Sequence, residues 1–223
     1  MVRTAILVSG GGTNLEAIIT ANLFGEIQNC EIVSVISSNP EAYALHRAKN
    51  AGIPTSVIDV KTFPTRRTWG TAILQKLKDL DVELVVLAGF LYVLERPIVH
   101  AYENRIINVH PALIPSFCGD DCYGLKVHKM ALDYGVKVTG ATVHFVTEAV
   151  DAGPIILQKA IEVLPDDTPK SLQQRVMEQC EWEILPRAID LYCRGVCGKS
   201  ALCGGCWEDA DRPTKCGGGG RRY

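Results

Sequence analysis

Short apolar runs rich in β-branched residues alternate with helix-length segments through the first half of this chain. The runs lie at residues 4–8, 31–36, 55–58, 83–87 and 105–109. Parallel strands whose sheet is covered on both faces have this continuous apolar character. The intervening segments, which start near Asn14, Glu41 and Arg66, carry helical spacing and predict crossover helices. The pattern therefore predicts an α/β fold with a doubly wound, mostly parallel sheet and helices on both faces.

The alternation of apolar runs and helix-length segments ends after residue 110. A loop is predicted at residues 115–123, a helix at 127–134 and β-like runs at 138–146 and 155–163. A final helix is predicted over residues 169–192. Pro186 lies inside it and is expected to bend or interrupt it, because proline removes a backbone hydrogen bond and crowds the preceding turn.

Composition limits the possible partners. The chain has 223 residues, 47% of them hydrophobic, and a formal net charge of -2, which is typical of an ordinary globular protein. Its basic residues are scattered rather than clustered, so neither nucleic acid nor a membrane surface is expected as the main partner. The amino terminus enters the first apolar run directly, without the apolar length of a signal peptide, so the cytoplasm is the expected compartment.

The last thirty residues differ from the rest. Apolar periodicity is lost, and cysteine, glycine and basic residues dominate. We therefore predict a catalytic domain at residues 1–193 and a poorly ordered tail at 194–223. The tail contains one Cys-x-x-Cys pair, Cys203 and Cys206, but its spacings match no standard zinc ribbon, and no metal is expected.

The fifth apolar run ends in two polar residues that share a face. Asn108 and His110 are two apart on the predicted strand, and Pro111 then starts a turn. About forty residues later, Asp151 offers a carboxylate in a second turn. An amide donor, a titratable imidazole and a carboxylate to orient it are the groups needed to stabilise an oxyanion and move protons during acyl or formyl transfer.

A glycine-rich loop follows the first strand. Residues 9–14 read Ser-Gly-Gly-Gly-Thr-Asn, and a helix is predicted to begin at Thr13 or Asn14. Free N–H groups at such a helix start bind phosphate. The lysine of a nucleoside triphosphate loop is missing, and the second strand ends without the acidic residue of a dinucleotide site. A small phosphomonoester is therefore the expected ligand.

Three other features of the sequence bear on a site. Residues 87–94 combine apolar side chains with a glycine, as in the wall of a pocket for a flat heterocycle. His144 lies on a strand pattern and is expected to be mainly structural. Glu178 and Glu181 are three apart on the last predicted helix, a spacing that on its own predicts a solvated face.

Five ordered motifs resemble one enzyme family. They are SGGGTNL at residues 9–15, LAGF at 87–90, NVHPALIP at 108–115, VHFV at 143–146 and DAGPIILQ at 151–158. Over residues 1–193 the chain resembles the phosphoribosylglycinamide formyltransferases, which are folate-dependent enzymes of purine biosynthesis with a Rossmann-like fold. Five motifs in order are far more specific than a glycine loop alone.

The resemblance implies a reaction and a set of site residues. The formyl group of 10-formyltetrahydrofolate would pass to the amine of 5'-phosphoribosylglycinamide, in de novo synthesis of IMP, without a metal and by a monomer or a homodimer. The implied catalytic residues are Asn108, His110 and Asp151. The implied ribonucleotide ligands are Gly11, Gly12, Thr13, Asn14 and Glu181. The implied folate ligands are Arg66, Leu91, Tyr92, Leu94, Asn108, Val146, Thr147 and Asp151.

The chain departs from the family pattern in its body as well as in its tail. Tyr92 stands where many members carry arginine, and Glu178 stands where a neutral or basic residue often helps to hold the phosphate. Residues 116–123 form a longer segment than the family version, which predicts either a lid or a surface loop.

Three other functions share these motifs. Formyltetrahydrofolate hydrolases typically carry an additional amino-terminal domain, and methionyl-tRNA formyltransferases usually add a carboxyl-terminal nucleic-acid-binding barrel; neither is expected here. A non-catalytic nucleotide- or folate-binding protein would bind ligands without turnover, and the intact triad argues against it.

Overall fold

In a computed structural model, residues 1–197 form a seven-stranded sheet with helices on both faces. The strands are β1 (Val2–Val8), β2 (Cys30–Ser37), β3 (Thr55–Val57), β4 (Leu84–Leu87), β5 (Ile106–His110), β6 (Val138–Phe145) and β7 (Ile155–Glu162). The helices are α1 (Thr13–Leu23), α2 (Ala44–Asn50), α3 (Arg66–Asp79), α4 (Arg96–Ala101), α5 (Leu125–Tyr134), α6 (Pro169–Val176) and α7 (Trp182–Cys193). The structure describes residues 1–197, so most of the predicted tail lies outside it.

The order of the strands locates the site. They run β3-β2-β1-β4-β5-β6-β7, with β1 to β5 parallel and the last two pairings antiparallel. The chain therefore reverses its direction of winding between β1 and β4. Ligands of open α/β sheets bind at such a switch point, outside the carboxyl ends of the strands. The predicted fold class is confirmed.

Successive side chains of β1 supply two separate cores. Ile6 and Val8 pack on one face with α1, α2, α6 and α7, whereas Ala5 and Leu7 pack on the other with α3 and α4. Burial on both faces explains why the parallel strands read as unbroken apolar runs. No helix within residues 1–197 is long and apolar enough to cross a bilayer.

The final helical region differs from its prediction. The structure has an irregular turn before the proline: α6 ends at Val176, a π-helical turn occupies Met177–Glu181, and α7 then continues through Pro186. The proline has no N–H for the carbonyl of Trp182, yet α7 is not interrupted there. The short helix α4 was not predicted; it lies beyond the apolar segment that was expected to line a pocket.

Candidate active site

A cavity of about 470 Å³ opens at the carboxyl ends of β4 and β5. Its walls come from residues 87–94, from the end of β5, from the loop at 119–124, from residues 146–151 and from the π-helical turn. Asn108, His110 and Asp151 all line it, so the structure brings the predicted triad together. Because β5 is a regular strand up to His110, its two polar residues project to the same side.

His110 has a contact at each ring nitrogen. Its Nε2 is 2.8 Å from the carbonyl oxygen of Phe117, and its Nδ1 is 3.4 Å from Oδ2 of Asp151. Since a carbonyl can only accept, Nε2 carries a hydrogen and donates to it. Burial lowers the pKa of His110, while the Asp151 carboxylate and the Phe117 carbonyl act in the opposite direction. The net effect is a lowered pKa, and a carboxylate lies beside the nitrogen that would take the proton.

Asp151 is held in an unusual backbone conformation by several contacts. Its φ of 51° is in the left-handed region, which residues other than glycine rarely adopt. Its Oδ2 accepts a hydrogen bond from the Gly119 backbone N–H at 3.0 Å. Burial would raise the pKa of this carboxyl, but the neighbouring His144 and His110 and the Gly119 N–H outweigh it, and the net effect is a lowered pKa. Asp151 is therefore ionised at neutral pH.

His144 belongs to the same cluster, and its expected structural role was incomplete. Its Nδ1 lies 2.9 Å from the Phe145 carbonyl oxygen, so Nδ1 is the protonated nitrogen. Its Nε2 is then free to accept from Asn108 Nδ2 at 3.3 Å, and it lies 3.6 Å from Oδ1 of Asp151. β5 and β6 pair Asn108 directly with His144, and this long-range pairing orients the Asn108 amide.

The longer segment at residues 116–123 lies over the triad. Phe117 contacts His110 through its carbonyl, and Gly119 contacts Asp151 through its N–H. Residues 119–123 also line the cavity. The segment is thus a loop that is exposed at several residues, including Ser116, Asp120 and Tyr123, and that contacts two members of the triad through its backbone.

The glycine loop lies beside the site, directly before Asn14 in the chain, although it does not line the main cavity. Gly12 has a φ of 74°, and a Cβ placed there would lie 2.6 Å from Cβ of Ala44, so a larger residue does not fit. Helix α1 begins at Thr13 as predicted, and no side chain caps its amino-terminal N–H groups. Arg47, which no sequence motif singled out, donates from Nε to the Gly11 carbonyl at 3.0 Å and from Nη1 to the Glu16 carboxylate at 3.0 Å, so its charge beside the loop is paired. No local sequence pattern links Arg47 to Gly11, which is 36 positions away.

Thr13 lies between two cavities. Its hydroxyl donates to the sulfur of Met177 at 3.2 Å. Gly11, Gly12 and Thr13 do not line the main cavity; Thr13 lines a second one of about 410 Å³, together with Glu16, Arg47 and Trp182.

Glu181 is buried, which contradicts the solvated face predicted for it. Only 8% of the residue is exposed, and its Oε2 accepts from Asn14 Nδ2 at 2.7 Å. Burial raises the pKa of Glu181, with the Asn14 contact opposing it. Glu178 is exposed as predicted and accepts from Gln174. The π-helical turn changes the angular spacing of side chains, so residues three apart no longer share one face.

Apolar residues form the opposite end of the cavity. Leu91, Tyr92, Leu94, Val146 and Thr147 line it as predicted. Leu91 is 68% exposed, whereas Leu94 is buried and packs mainly into the core.

Arg66 does not line this cavity. Its guanidinium lies 4.6 Å from the ring centroids of both Trp69 and Tyr92 and donates to the Val93 carbonyl at 3.1 Å. The ring of Tyr92 also packs edge-on against those of Trp69 and Phe90. The tyrosine that replaces an arginine of the family pattern is thus part of an aromatic cluster beneath Arg66.

The described side chains offer no metal-binding group. Among residues 1–197, no three histidine, cysteine or acidic side chains are placed to hold a metal ion.

Comparisons with known proteins agree with this site. The Formyl transferase family model matches residues 2–189. A phosphoribosylglycinamide formyltransferase of Haemophilus influenzae is 38% identical over 195 residues, which are 87% of this chain and 89% of that protein. The trifunctional purine biosynthetic protein adenosine-3 of Gallus gallus is 42% identical over 207 residues; the match covers 93% of this chain but spans only 20% of that longer protein.

Solved structures give the same result. The crystal structure of glycinamide ribonucleotide transformylase 1 from Symbiobacterium toebii aligns with a TM-score of 0.82 and 42% sequence identity, covering 87% of this chain and 89% of that one. That of phosphoribosylglycinamide formyltransferase from Coxiella burnetii aligns with a TM-score of 0.79 and 39% identity, covering 87% of this chain and 88% of that one. Sequence, fold and site geometry thus lead to one assignment: this chain belongs to the formyl transferase family.

Proposed function

We propose that this protein transfers the formyl group of 10-formyltetrahydrofolate to the amine of 5'-phosphoribosylglycinamide. The observation that carries the proposal is the cluster of Asn108, His110, His144 and Asp151, which lines one cavity with Asn14, from the first turn of the uncapped helix α1, at one end and an apolar wall at the other. An anionic ribonucleotide suits the first of these ends, and a flat folate ring suits the second. The names of the relatives support the same acceptor and the same reaction.

In the proposed reaction, the substrate amine attacks the formyl carbon and the formyl oxygen becomes an oxyanion. Asn108 has two amide hydrogens, of which one points to His144, and the other is available to the oxyanion. His110 in its protonated form adds positive charge, and the Asp151 carboxylate stabilises that form. Collapse of the adduct breaks the bond from carbon to N10 of the folate. The protonated His110 gives its proton to N10 as that bond breaks, and it recovers one from the amine through a water held by Asp151.

The ligand-binding residues are assigned from the family resemblance, and Arg66 and the glycine loop among them lie outside the wall of the main cavity. We assign Gly11, Gly12, Thr13, Asn14 and Glu181 to the ribonucleotide, and Arg66, Leu91, Tyr92, Leu94, Val146 and Thr147 to the folate, with Asn108 and Asp151 facing its formyl group. The ring of Tyr92 is already packed, so this residue would meet the folate through its backbone. Because Glu178 is exposed, it leaves phosphate binding to the glycine loop, the start of α1 and Arg47.

The same proposal covers the organisation of the protein. Residues 1–193 would form the catalytic domain of a cytoplasmic enzyme that acts as a monomer or a homodimer. None of the steps above needs a metal, because the amide and the imidazolium stabilise the oxyanion and the histidine moves the proton.

The test is an assay of formyl transfer followed by folate absorbance. Turnover that requires 5'-phosphoribosylglycinamide, and that disappears in His110→Ala, is the expected result. Equal release of folate product without the ribonucleotide would show a hydrolase instead. Binding of both ligands without any product would show a non-catalytic binding protein.

A further inference from the structure

His128 is a buried histidine whose two ring nitrogens have no partner among the described residues. It lies in the first half of α5, is 1% exposed and lines the main cavity. The other two buried histidines each use both nitrogens: His110 contacts Phe117 and Asp151, and His144 contacts Phe145 and Asn108. Buried polar groups are nearly always hydrogen-bonded. A buried histidine without a hydrogen-bond partner in the wall of a cavity indicates that a bound ligand supplies that partner.

The protonation state of His128 narrows the chemistry of that partner. Burial lowers its pKa to about 4, and the nearby His110 acts in the same direction. The ring is therefore neutral at physiological pH and presents one N–H donor and one lone-pair acceptor. A neutral acceptor such as a carbonyl oxygen fits its N–H better than a phosphate, which prefers cations.

The position of His128 places it at the polar end of the cavity. Helix α5 packs against α6, which leads into the π-helical turn that carries Glu181. Asn14 carries the other buried side-chain atom in this wall that has no partner among the described residues, its Oδ1. The Nδ2 of the same side chain donates a hydrogen bond to Glu181. Asn14 Oδ1 and Glu181 are acceptors and suit hydroxyl donors such as those of a ribose. His128 and His110 line the same cavity.

We propose that His128 binds the ribonucleotide substrate by a hydrogen bond from its ring N–H to the amide carbonyl oxygen of the glycinamide group. This inference rests on the proposed function. The substrate runs from phosphate through ribose and amide to the reacting amine, so its amide must lie between the hydroxyl-binding acceptors and His110. That amide offers a carbonyl oxygen, which accepts from the N–H of a neutral imidazole, while the N–H of a trans amide points to the opposite side and away from the ring. His128 would thereby set the distance between the anchored ribose and the formyl carbon.

Two variants and a control test this assignment by kinetics. His128→Leu keeps the volume of the side chain but removes the hydrogen bond to the amide carbonyl, and it should raise the KM for 5'-phosphoribosylglycinamide by about 10-fold. The KM for the folate should change less than about twofold, and Tm should not fall, because two unpaired buried atoms are removed. His128→Gln, whose amide has a donor and an acceptor, should recover part of the lost affinity. His46→Leu changes an exposed histidine and should have no effect.

The opposite results are equally definite. Equal rises in both KM values together with a lower Tm would show a merely structural histidine. An unchanged ribonucleotide KM in His128→Leu would also overturn the assignment. Both outcomes presuppose that the wild-type protein transfers the formyl group. If the wild-type protein neither binds nor uses the ribonucleotide, the proposed function itself is wrong.

Nitrogen-15 NMR of labelled histidine gives a readout independent of turnover. The chain has only five histidines, and His128→Leu identifies the two signals of interest. Addition of the ribonucleotide alone should shift both ring nitrogens of His128, whereas the folate alone should leave them in place. Shifts caused by the folate and not by the ribonucleotide would place His128 at the other end of the cavity and overturn the proposal.

Discussion

The two ends of the cavity are built from different kinds of surface. At the polar end, Asn14, His128 and Glu181 are buried, and three of their polar atoms have no partner among the described residues. At the apolar end, Leu91 and Val93 are exposed, and the polar contacts there are made within the protein. A site with buried, unpaired polar atoms binds a ligand much more weakly when that ligand cannot form hydrogen bonds to them. An apolar surface distinguishes less strongly between ligands of similar shape.

This difference ranks the expected effects of substitution. Changes in the triad between the two ends should be most severe, because the triad acts on the reacting atoms. Changes at the polar end should act selectively on one substrate. Changes at the apolar rim should be mild, because each contact there is partly solvated.

Asp151→Asn should give the largest effect. The amide cannot stabilise a positive His110 as the carboxylate does, so we expect kcat to fall by about 10²–10⁴-fold, the usual range for lost acid–base catalysis. Steady-state kinetics with both substrates saturating measures this. The control is Asp133→Asn, at an exposed aspartate paired with Lys129. A decrease in kcat of less than tenfold would contradict the proposed role of the carboxylate.

The pH dependence of unfolding should reveal the buried neutral ring of His128. The pKa of this ring is about 4 in the folded protein, against 6.5 for an ordinary histidine, so below pH 6.5 the unfolded chain takes up a proton that the folded protein does not. Stability is then fully present above pH 6.5 and is lost as the pH falls toward 4. A pKa difference of this size corresponds to about 3 kcal/mol of unfolding free energy, since each pKa unit is worth about 1.4 kcal/mol.

Urea unfolding of the wild type and of His128→Leu at about pH 7, 5.5 and 4.5 isolates this contribution. Other groups, including His110, titrate in both proteins and largely cancel in the difference. The wild type should lose stability relative to the variant as the pH falls. Parallel curves would mean that His128 titrates normally in the folded protein.

Glu181→Gln should separate binding from stability. Loss of the carboxylate should raise the KM for the ribonucleotide by about 10-fold, as is typical when a hydrogen bond to a charged group is weakened. Because burial raises the pKa of Glu181, the wild type loses stability as the pH rises above the unfolded value, and the variant should not. Thermal unfolding at about pH 5 and about pH 8 tests the second point. Glu178→Gln, on the exposed side, is the control; an equal change in KM there would remove the distinction between the two acids.

The parts of the molecule that sequence predicts well are those governed by local periodicity. The strand Leu84–Leu87 reads as a continuous apolar run because both faces of the sheet are covered. Asn108 and His110 share a side because strand side chains alternate. Gly12 and the start of α1 follow from the steric freedom of glycine. The fold class and the assembly of the triad were therefore predictable.

The parts that were missed depend on contacts between distant elements. The burial of Glu181 depends on a π-helical turn, which the spacing of polar and apolar residues in the sequence does not predict. His128 becomes notable only once α5 has packed against α6 and left its ring without a partner among the described residues. The role of His144 depends on the pairing of β5 with β6. A periodic pattern predicts which residues share a face of a helix or strand, but it does not predict which other element packs against that face.

Arg66→Met should give the smallest effect and so sharpen the contrast between the two ends. The substitution removes the cation above Trp69 and Tyr92, as well as the hydrogen bond to Val93, but keeps most of the apolar stem. This cation–π contact lies within the protein and contributes about 0.5–1 kcal/mol to the cluster that holds Tyr92 in the cavity wall, so the KM for the folate should rise no more than about fivefold. The KM for the ribonucleotide should not change. Arg67→Met, at the exposed neighbouring position, serves as the control. A rise in folate KM of about a hundredfold would mean that Arg66 makes a strong ionic contact with the folate, and the apolar end would then be as selective as the polar one.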